Sequence, residues 1–434
     1  MIAHVKTSLP GPNSARYKAL SEKYESHCLN LQAPIVWNRA QGVQVWDVDG
    51  NSFIDWTSGV LVTNVGHCHP KLAKAIADQA NRLLNCYDFP TVERITLAER
   101  MVGLAPENLD SAFFATVGSE AVDAAVRTAK HATGKYEIIS FFGGFHGRTM
   151  GTMSLAGKTA TKKNFGPLIP GVINVPYPDP YRNPFGSSER DVAGQCLDFL
   201  DTAIHAQSTG SIAALIIEPY QGAAGFIFPP DGFLKSLEQW ACERDILFIL
   251  DEVQSSFGRT GKFLALEWED LRPNLVCIGK GIGSGMPISC LLAESGILGS
   301  LGEGEMSSTW GGNPLACAAS HAILDIFEEE CLVENALNIG AHLKQRLLDM
   351  KKICPYLGDV RGRGMVMGLD IVHDRKTKER YPEMTRTIIT RCCENGLIIG
   401  AVSGNVIRVA PPLVMTLAEA DESLDIMEKV LKSL

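Results

Sequence analysis

From about residue 92 onward, short apolar runs alternate with helical patterns, and this alternation limits the possible folds more than any other feature. The runs fall at 111–115, 137–141, 172–175, 213–217, 246–250, 274–278 and 288–292. Strands apolar on both faces need cover on both, which helices returning over a sheet supply. The pattern therefore predicts an α/β domain with a large, doubly wound, mostly parallel sheet. Helices are expected near 96–104 and 120–131, the second stopped by Gly134. Earlier, residues 42–55 alternate around Asp49-Gly50-Asn51, a hairpin signal, and 70–84 carries an amphipathic helical pattern. Residues 1–40 are polar and mixed, with Pro10-Gly11-Pro12, and read as an arm. After Pro314 a long helical stretch is broken near 328–331. Strand candidates at 364–371, 397–399 and 406–410 follow, then an amphipathic helix from Leu417. The reading divides the chain into an arm and hairpin at 1–64, a large domain at 65–325, and a smaller α+β domain at 326–434. The hairpin segment is expected to join the smaller domain.

Composition excludes several classes. The chain is 434 residues long, 45% hydrophobic and 21% charged, as expected for a globular enzyme. A net charge of -9 offers no basic footprint for nucleic acid. No apolar run approaches the ~18 residues of a membrane span. The start lacks the apolar core of a secretory signal, so the expected location is the cytoplasm. The 12 cysteines include no C-x-x-C pair and read as buried free thiols. His67-Cys68-His69, just before Pro70, marks a turn better than a metal site, and no metal is expected.

The chemistry gathers at two strand ends. One apolar run leads into Asp251-Glu252-Val253-Gln254, expected to begin a loop, and another delivers Gly279-Lys280-Gly281. Strand ends of a mostly parallel sheet are where such proteins keep their sites. A lysine that forms a Schiff base and an acid that pairs with a pyridinium nitrogen are what a protein contributes to pyridoxal phosphate chemistry. A surface lysine and a turn aspartate are the other reading of the same two residues. Gly118-Ser119-Glu120 joins a strand to a helix, where the first helical N–H groups can hold a phosphate. A plain serine cap would use the same residues. Two nucleotide motifs fail on spacing. Gly151 stands one residue too far from Gly157-Lys158-Thr159, and Gly281-Ile282-Gly283-Ser284-Gly285 lacks the last glycine of a dinucleotide loop.

An ordered set of motifs is more specific. Gly118-Ser119-Glu120, Phe145-His146-Gly147-Arg148-Thr149, Glu218-Pro219-Tyr220-Gln221-Gly222, Asp251-Glu252-Val253-Gln254 and Gly258-Arg259-Thr260-Gly261 stand in that order. Gly279-Lys280, Ser308-Thr309-Trp310-Gly311-Gly312-Asn313-Pro314 and Gly358-Asp359-Val360-Arg361-Gly362 follow. Over roughly residues 40 to 415 the chain resembles the class III aminotransferases, among them the 4-aminobutyrate, ornithine and acetylornithine enzymes.

The resemblance implies the aspartate-aminotransferase-like fold (fold type I) and pyridoxal 5'-phosphate as cofactor. It implies that Lys280 carries the cofactor as a Schiff base and shuttles the proton, and that Asp251 keeps the ring nitrogen protonated. Phe145 and Val253 would cover the two ring faces, Gln254 would reach the ring hydroxyl, and His146 belongs to the same cofactor set. Gly118 and Ser119 would take the phosphate, with Thr309 completing it from a neighbouring subunit. That shared site implies a homodimer and leaves assembly beyond it open. Val60, Arg148, Glu218 and Arg408 would meet the substrate. In 4-aminobutyrate-type relatives, residues at the positions of Glu218 and Arg408 form an ion pair that opens for a carboxylate. Arg408 would then take the α-carboxylate of glutamate, and Arg148 the distal one. An ordinary structural salt bridge is the alternative for either arginine.

The implied reaction moves the amino group of a 4-aminobutyrate-like ω-amino acid to 2-oxoglutarate. Racemisation, dialkylglycine-type decarboxylation, and acetylornithine- or ornithine-type transamination use the same scaffold. Two departures bear on the substrate. Ala223 and Ala224 stand where the 4-aminobutyrate type has an acid and a glycine, and Trp310 replaces a smaller aromatic residue or a histidine.

Overall fold

The computed structural model describes residues 2–29, 31–186 and 191–434. The chain forms two compact units. The first comprises Met1–Pro70, Gly258–Gly261 and Ile326–Leu434, and the second Lys71–Phe257 and Lys262–Asp325. No described helix is long and apolar enough to cross a membrane.

The first unit opens with a helix at Pro12–Tyr24, then β1 (Trp37–Gln41), β2 (Gln44–Asp47) and β3 (Ser52–Asp55), paired antiparallel. The predicted hairpin forms because the Asp47 carboxylate accepts the N–H groups of Asp49 (2.9 Å) and Asn51 (2.8 Å), closing the turn. The expected arm is instead a helix followed by an edge strand. Asp49, at the hairpin tip, accepts the N–H groups of Asn13 (2.7 Å) and Ser14 (2.8 Å) and so caps that helix from outside. A cap 35 residues away leaves no local signature.

The second unit holds β4 (Ser111–Ala115), β5 (Glu137–Phe141), β6 (Val172–Val175), β7 (Ile212–Ile217), β8 (Leu247–Glu252), β9 (Leu275–Ile278) and β10 (Ser289–Ala293). They form one sheet in the order β4-β10-β9-β8-β7-β5-β6, in which only β10 runs antiparallel to its neighbours. Every residue of β7, β9 and β10 is buried, as apolar runs covered on both faces require. The helix Gly118–Thr133 packs Ala121, Val122, Ala124, Ala125 and Ala129 into the core beside the sheet. It ends where Gly134 turns left-handed at φ 66°. One expectation changes here. Asp251 does not begin a loop: β8 continues through Glu252, because Asp251 pairs with Cys277 and Glu252 with Ile278. The Glu252 carboxylate then accepts the N–H groups of Ala265 and Leu266, each at 2.7 Å.

The C-terminal part of the first unit adds β11 (Leu357–Arg363), β12 (Val366–Ile371), β13 (Leu397–Ile398), β14 (Gly400–Val402) and β15 (Val406–Val409). β13 extends the N-terminal sheet parallel to β3, and β11-β12-β15-β14 form an antiparallel sheet. The strand expected from residue 364 begins at Val366, because Gly364 (φ 54°) turns the hairpin from β11. β11 itself escaped prediction, since its charges and glycines do not read as a strand. Its charge is neutralised within the sheet, where Arg361 meets Asp359 at 3.0 Å and Asp370 at 3.2 Å.

Gly258–Gly261 leaves the second unit's stretch of sequence to join the first unit, and its Arg259 is fully buried. The guanidinium donates to the carbonyls of Met365 (3.1 Å) and Pro411 (2.6 Å) and to Asn64 Oδ1 (2.6 Å). Removing a buried charged donor leaves its acceptors without partners. Arg259→Leu should therefore cost about 3 kcal/mol or more of stability, read as a lowered denaturation midpoint of the apoprotein.

Candidate active site

In the second unit, the ends of β5, β7, β8 and β9 and the start of the helix Gly118–Thr133 carry most of the predicted residues. The ladder between β8 and β9 sets Asp251 beside Cys277, three residues before Lys280. Lys280 has φ 46°, left-handed for a residue with a side chain, and its carbonyl accepts the N–H groups of Gly283 (3.0 Å) and Ser284 (3.1 Å). That turn fixes a strained backbone at the amine-bearing residue. Burial pulls the Lys280 ammonium below the usual lysine range, against the opposing charges of Asp251 and Glu218.

Asp251 is buried and braced twice. Its Oδ2 lies 2.6 Å from His146 Nδ1, and its Oδ1 accepts the Val253 N–H at 3.1 Å. Burial disfavours charge on His146, but the hydrogen bond and charge of Asp251, joined by Glu218, outweigh it and raise the imidazole pKa. His146 and Asp251 stand 105 residues apart, so the sequence named both without showing their bond.

Glu218 follows β7. Its Oε1 accepts the Phe145 N–H and its Oε2 the Gly222 N–H, each at 3.0 Å. Burial pushes its pKa up to about 7, against the cationic pull of His146. Tyr177, which sequence reasoning missed, donates its hydroxyl to the Glu218 carbonyl at 3.4 Å.

Gly118 and Gly279 pack closely against Val253. A Cβ on Gly118 would stand 2.4 Å from Val253 Cγ1, and one on Gly279 would stand 3.0 Å from the same atom. Close approach therefore requires glycine at both positions. Among the described residues the N–H groups of Gly118 and Ser119 have no partner, as the first N–H groups of a helix do not. Gln254 Oε1 is buried without a partner. Phe145 is half-buried, and the exposed Arg148 guanidinium lies 6.0 Å from its ring centroid. Arg148 makes no salt bridge among the described residues. Thr309 is exposed.

Two predicted residues belong to the first unit. Val60 is 41% exposed on the turn Ser58–Leu61. Arg408, on β15, is buried; its Nη2 donates to Gln32 Oε1 at 3.0 Å, and its Nε has no partner among the described residues. Burial lowers its pKa, and the charge of Asp55 opposes that shift. Both Glu218 and Arg408 thus find their hydrogen bonds within their own units.

The raised Glu218 pKa has a stability consequence. Its contribution is fully present below the ordinary carboxyl value of 4.5 and is lost as pH rises through about 7. Glu218→Gln should therefore gain in thermal midpoint relative to wild-type apoprotein between pH 5 and pH 8, measured by parallel melts.

Comparison with known proteins places this geometry. A family model for aminotransferase class-III matches residues 28–431. An alanine/serine racemase of Pyrococcus horikoshii is 37% identical, the match covering 98% of this chain and 91% of that protein. A probable 4-aminobutyrate aminotransferase of Bacillus subtilis is 35% identical, covering 91% of this chain and 92% of that one. An amine transaminase from an uncultivated Pseudomonas species, solved with pyridoxal phosphate bound, superposes with a TM-score of 0.89 at 28% identity, covering 99% of each chain.

Proposed function

Because this chain belongs to the class III aminotransferases, a family of fold type I that depends on pyridoxal phosphate, we propose that it moves an amino group from a 4-aminobutyrate-like ω-amino acid to 2-oxoglutarate. The observation that carries this reading is Arg408. A guanidinium held out of water, whose hydrogen-bond partner among the described residues is the neutral Gln32 and whose Nε is unused there, is suited to a substrate carboxylate. The exposed, unpaired Arg148 supports a second carboxylate contact, hence a dicarboxylate acceptor.

The residues fit the cofactor. The free N–H groups of Gly118 and Ser119 suit its phosphate, and Gln254 Oε1, buried without a partner among the described residues, suits the ring hydroxyl. When bound, pyridoxal phosphate supplies a conjugated ring that takes up the electrons released at the amine-bearing carbon. Asp251, held by His146 and the Val253 N–H, keeps a proton on the ring nitrogen. Lys280 Nζ, its pKa lowered by burial, would hold the cofactor and, once released from it, is the amine placed to take up and return a proton. Phe145 covers the other ring face. Thr309 is exposed, as a phosphate ligand offered to a second subunit would be, so the working form is proposed as a homodimer with shared sites. The proposed location is the cytoplasm.

Racemisation of an α-amino acid is the second reading, supported by the Pyrococcus relative. There Lys280 would return the proton to the carbon that lost it, and no keto acid would be consumed. Purified enzyme should form glutamate from 2-oxoglutarate only when 4-aminobutyrate is present, and Lys280→Ala should form none. Inversion of L-alanine without keto acid, with no glutamate from the ω-amine, would overturn the transaminase reading.

A further inference from the structure

Four consecutive residues of the first unit lie in the left-handed region: Ser58 (φ 48°), Gly59 (58°), Val60 (70°) and Leu61 (61°). Residues with a side chain visit this region singly, because Cβ crowds the backbone, and a β-branched residue fares worst. The turn must be held from outside. Its own bonds run from the N–H groups of Val60 and Leu61 to the Thr57 carbonyl, each at 2.9 Å. Ser58 Oγ donates to the Ala410 carbonyl at 2.7 Å, and the Ala410 N–H donates to the Trp56 carbonyl at 2.9 Å. The turn is thereby sewn to the chain two residues past Arg408. At its far end, Asn64 accepts from Arg259. Ser58 and Leu61 are buried, which leaves Val60 presented outward.

At its base stands Asp55, wholly buried and unused by the mechanism above. Its Oδ1 accepts the Thr57 N–H (2.7 Å) and hydroxyl (2.6 Å), and its Oδ2 lies 2.9 Å from His67 Nε2. The His67 ring is edge-on to Trp37 at 5.7 Å, and its backbone bridges Gly42. One buried carboxylate is thus tied to the strained turn through Thr57 and to the sheet through His67. Its charge also acts on Arg408.

We propose that Asp55 and His67 are positioning residues: together they lock the left-handed turn that presents Val60 and, through the bonds of that turn to Ala410, fix the strand end that carries Arg408. The proposal rests on Arg408 as the carboxylate-binding residue. Asp55→Asn keeps size and one acceptor but removes the charge. In the cofactor-loaded variant, KM for 2-oxoglutarate should rise roughly tenfold with kcat nearly unchanged, the scale of one charge-assisted contact. The Kd of glutarate, an unreactive dicarboxylate, should rise to the same extent by calorimetry. The Kd of the apoprotein for pyridoxal phosphate should stay at its wild-type value. Equal losses in kcat, cofactor affinity and KM would mean a merely structural role and overturn the proposal. If Asp55→Asn does not fold, His67→Gln is read by the same split. Arg408→Lys separates the two ideas. If it leaves glutarate binding intact, the carboxylate reading itself fails; if it weakens binding while Asp55→Asn does not, only the lock fails.

Discussion

The last two rungs between β8 and β9 govern the chemistry of the second unit. There Asp251 faces Cys277 and Glu252 faces Ile278 before both strands release the chain. Because the acid is still in the ladder, it has no freedom of its own, and His146 and the Val253 N–H meet a carboxylate already aimed. Lys280 follows β9 after one glycine and enters a backbone conformation that few residues tolerate. Precision at the site is thus inherited from hydrogen bonds that carry no chemistry themselves.

The same economy runs through the electrostatics. The site in the second unit gathers two buried carboxylates, Glu218 and Asp251, beside the imidazole of His146 and the amine of Lys280. Burial shifts Glu218 and Lys280 toward neutrality, raising the first to about 7 and lowering the second, while Asp251 holds His146 toward the charged form. Groups whose charge is balanced against burial in this way change protonation with little driving force, which suits a site that must move protons.

What the sequence disclosed follows the range of the forces involved. The sheet was legible because buried strands are continuous apolar runs, and β7 and β9 needed nothing else. The residues proposed for the cofactor were legible only as an ordered set of motifs, since a glycine, a serine and a lysine have no identity alone. Hidden were the features fixed by distant partners. The helix Pro12–Tyr24 is capped by Asp49, β11 hides its charges by pairing Arg361 with two acids, and the turn at Val60 is left-handed only because Asp55, Ala410 and Arg259 make it so. No local propensity announces a conformation that propensity opposes.

The path of the chain through the two units also sets an order of assembly. The second unit is continuous apart from the short loop Gly258–Gly261, and all of its sequence has left the ribosome by Asp325. The first unit is different: β3 pairs in parallel with β13, at Leu397–Ile398, so its opening sheet waits for nearly the whole protein to be made. Domains fold as their chains become available. During synthesis β3 therefore gains its parallel partner β13 only after the second unit's sequence has been made.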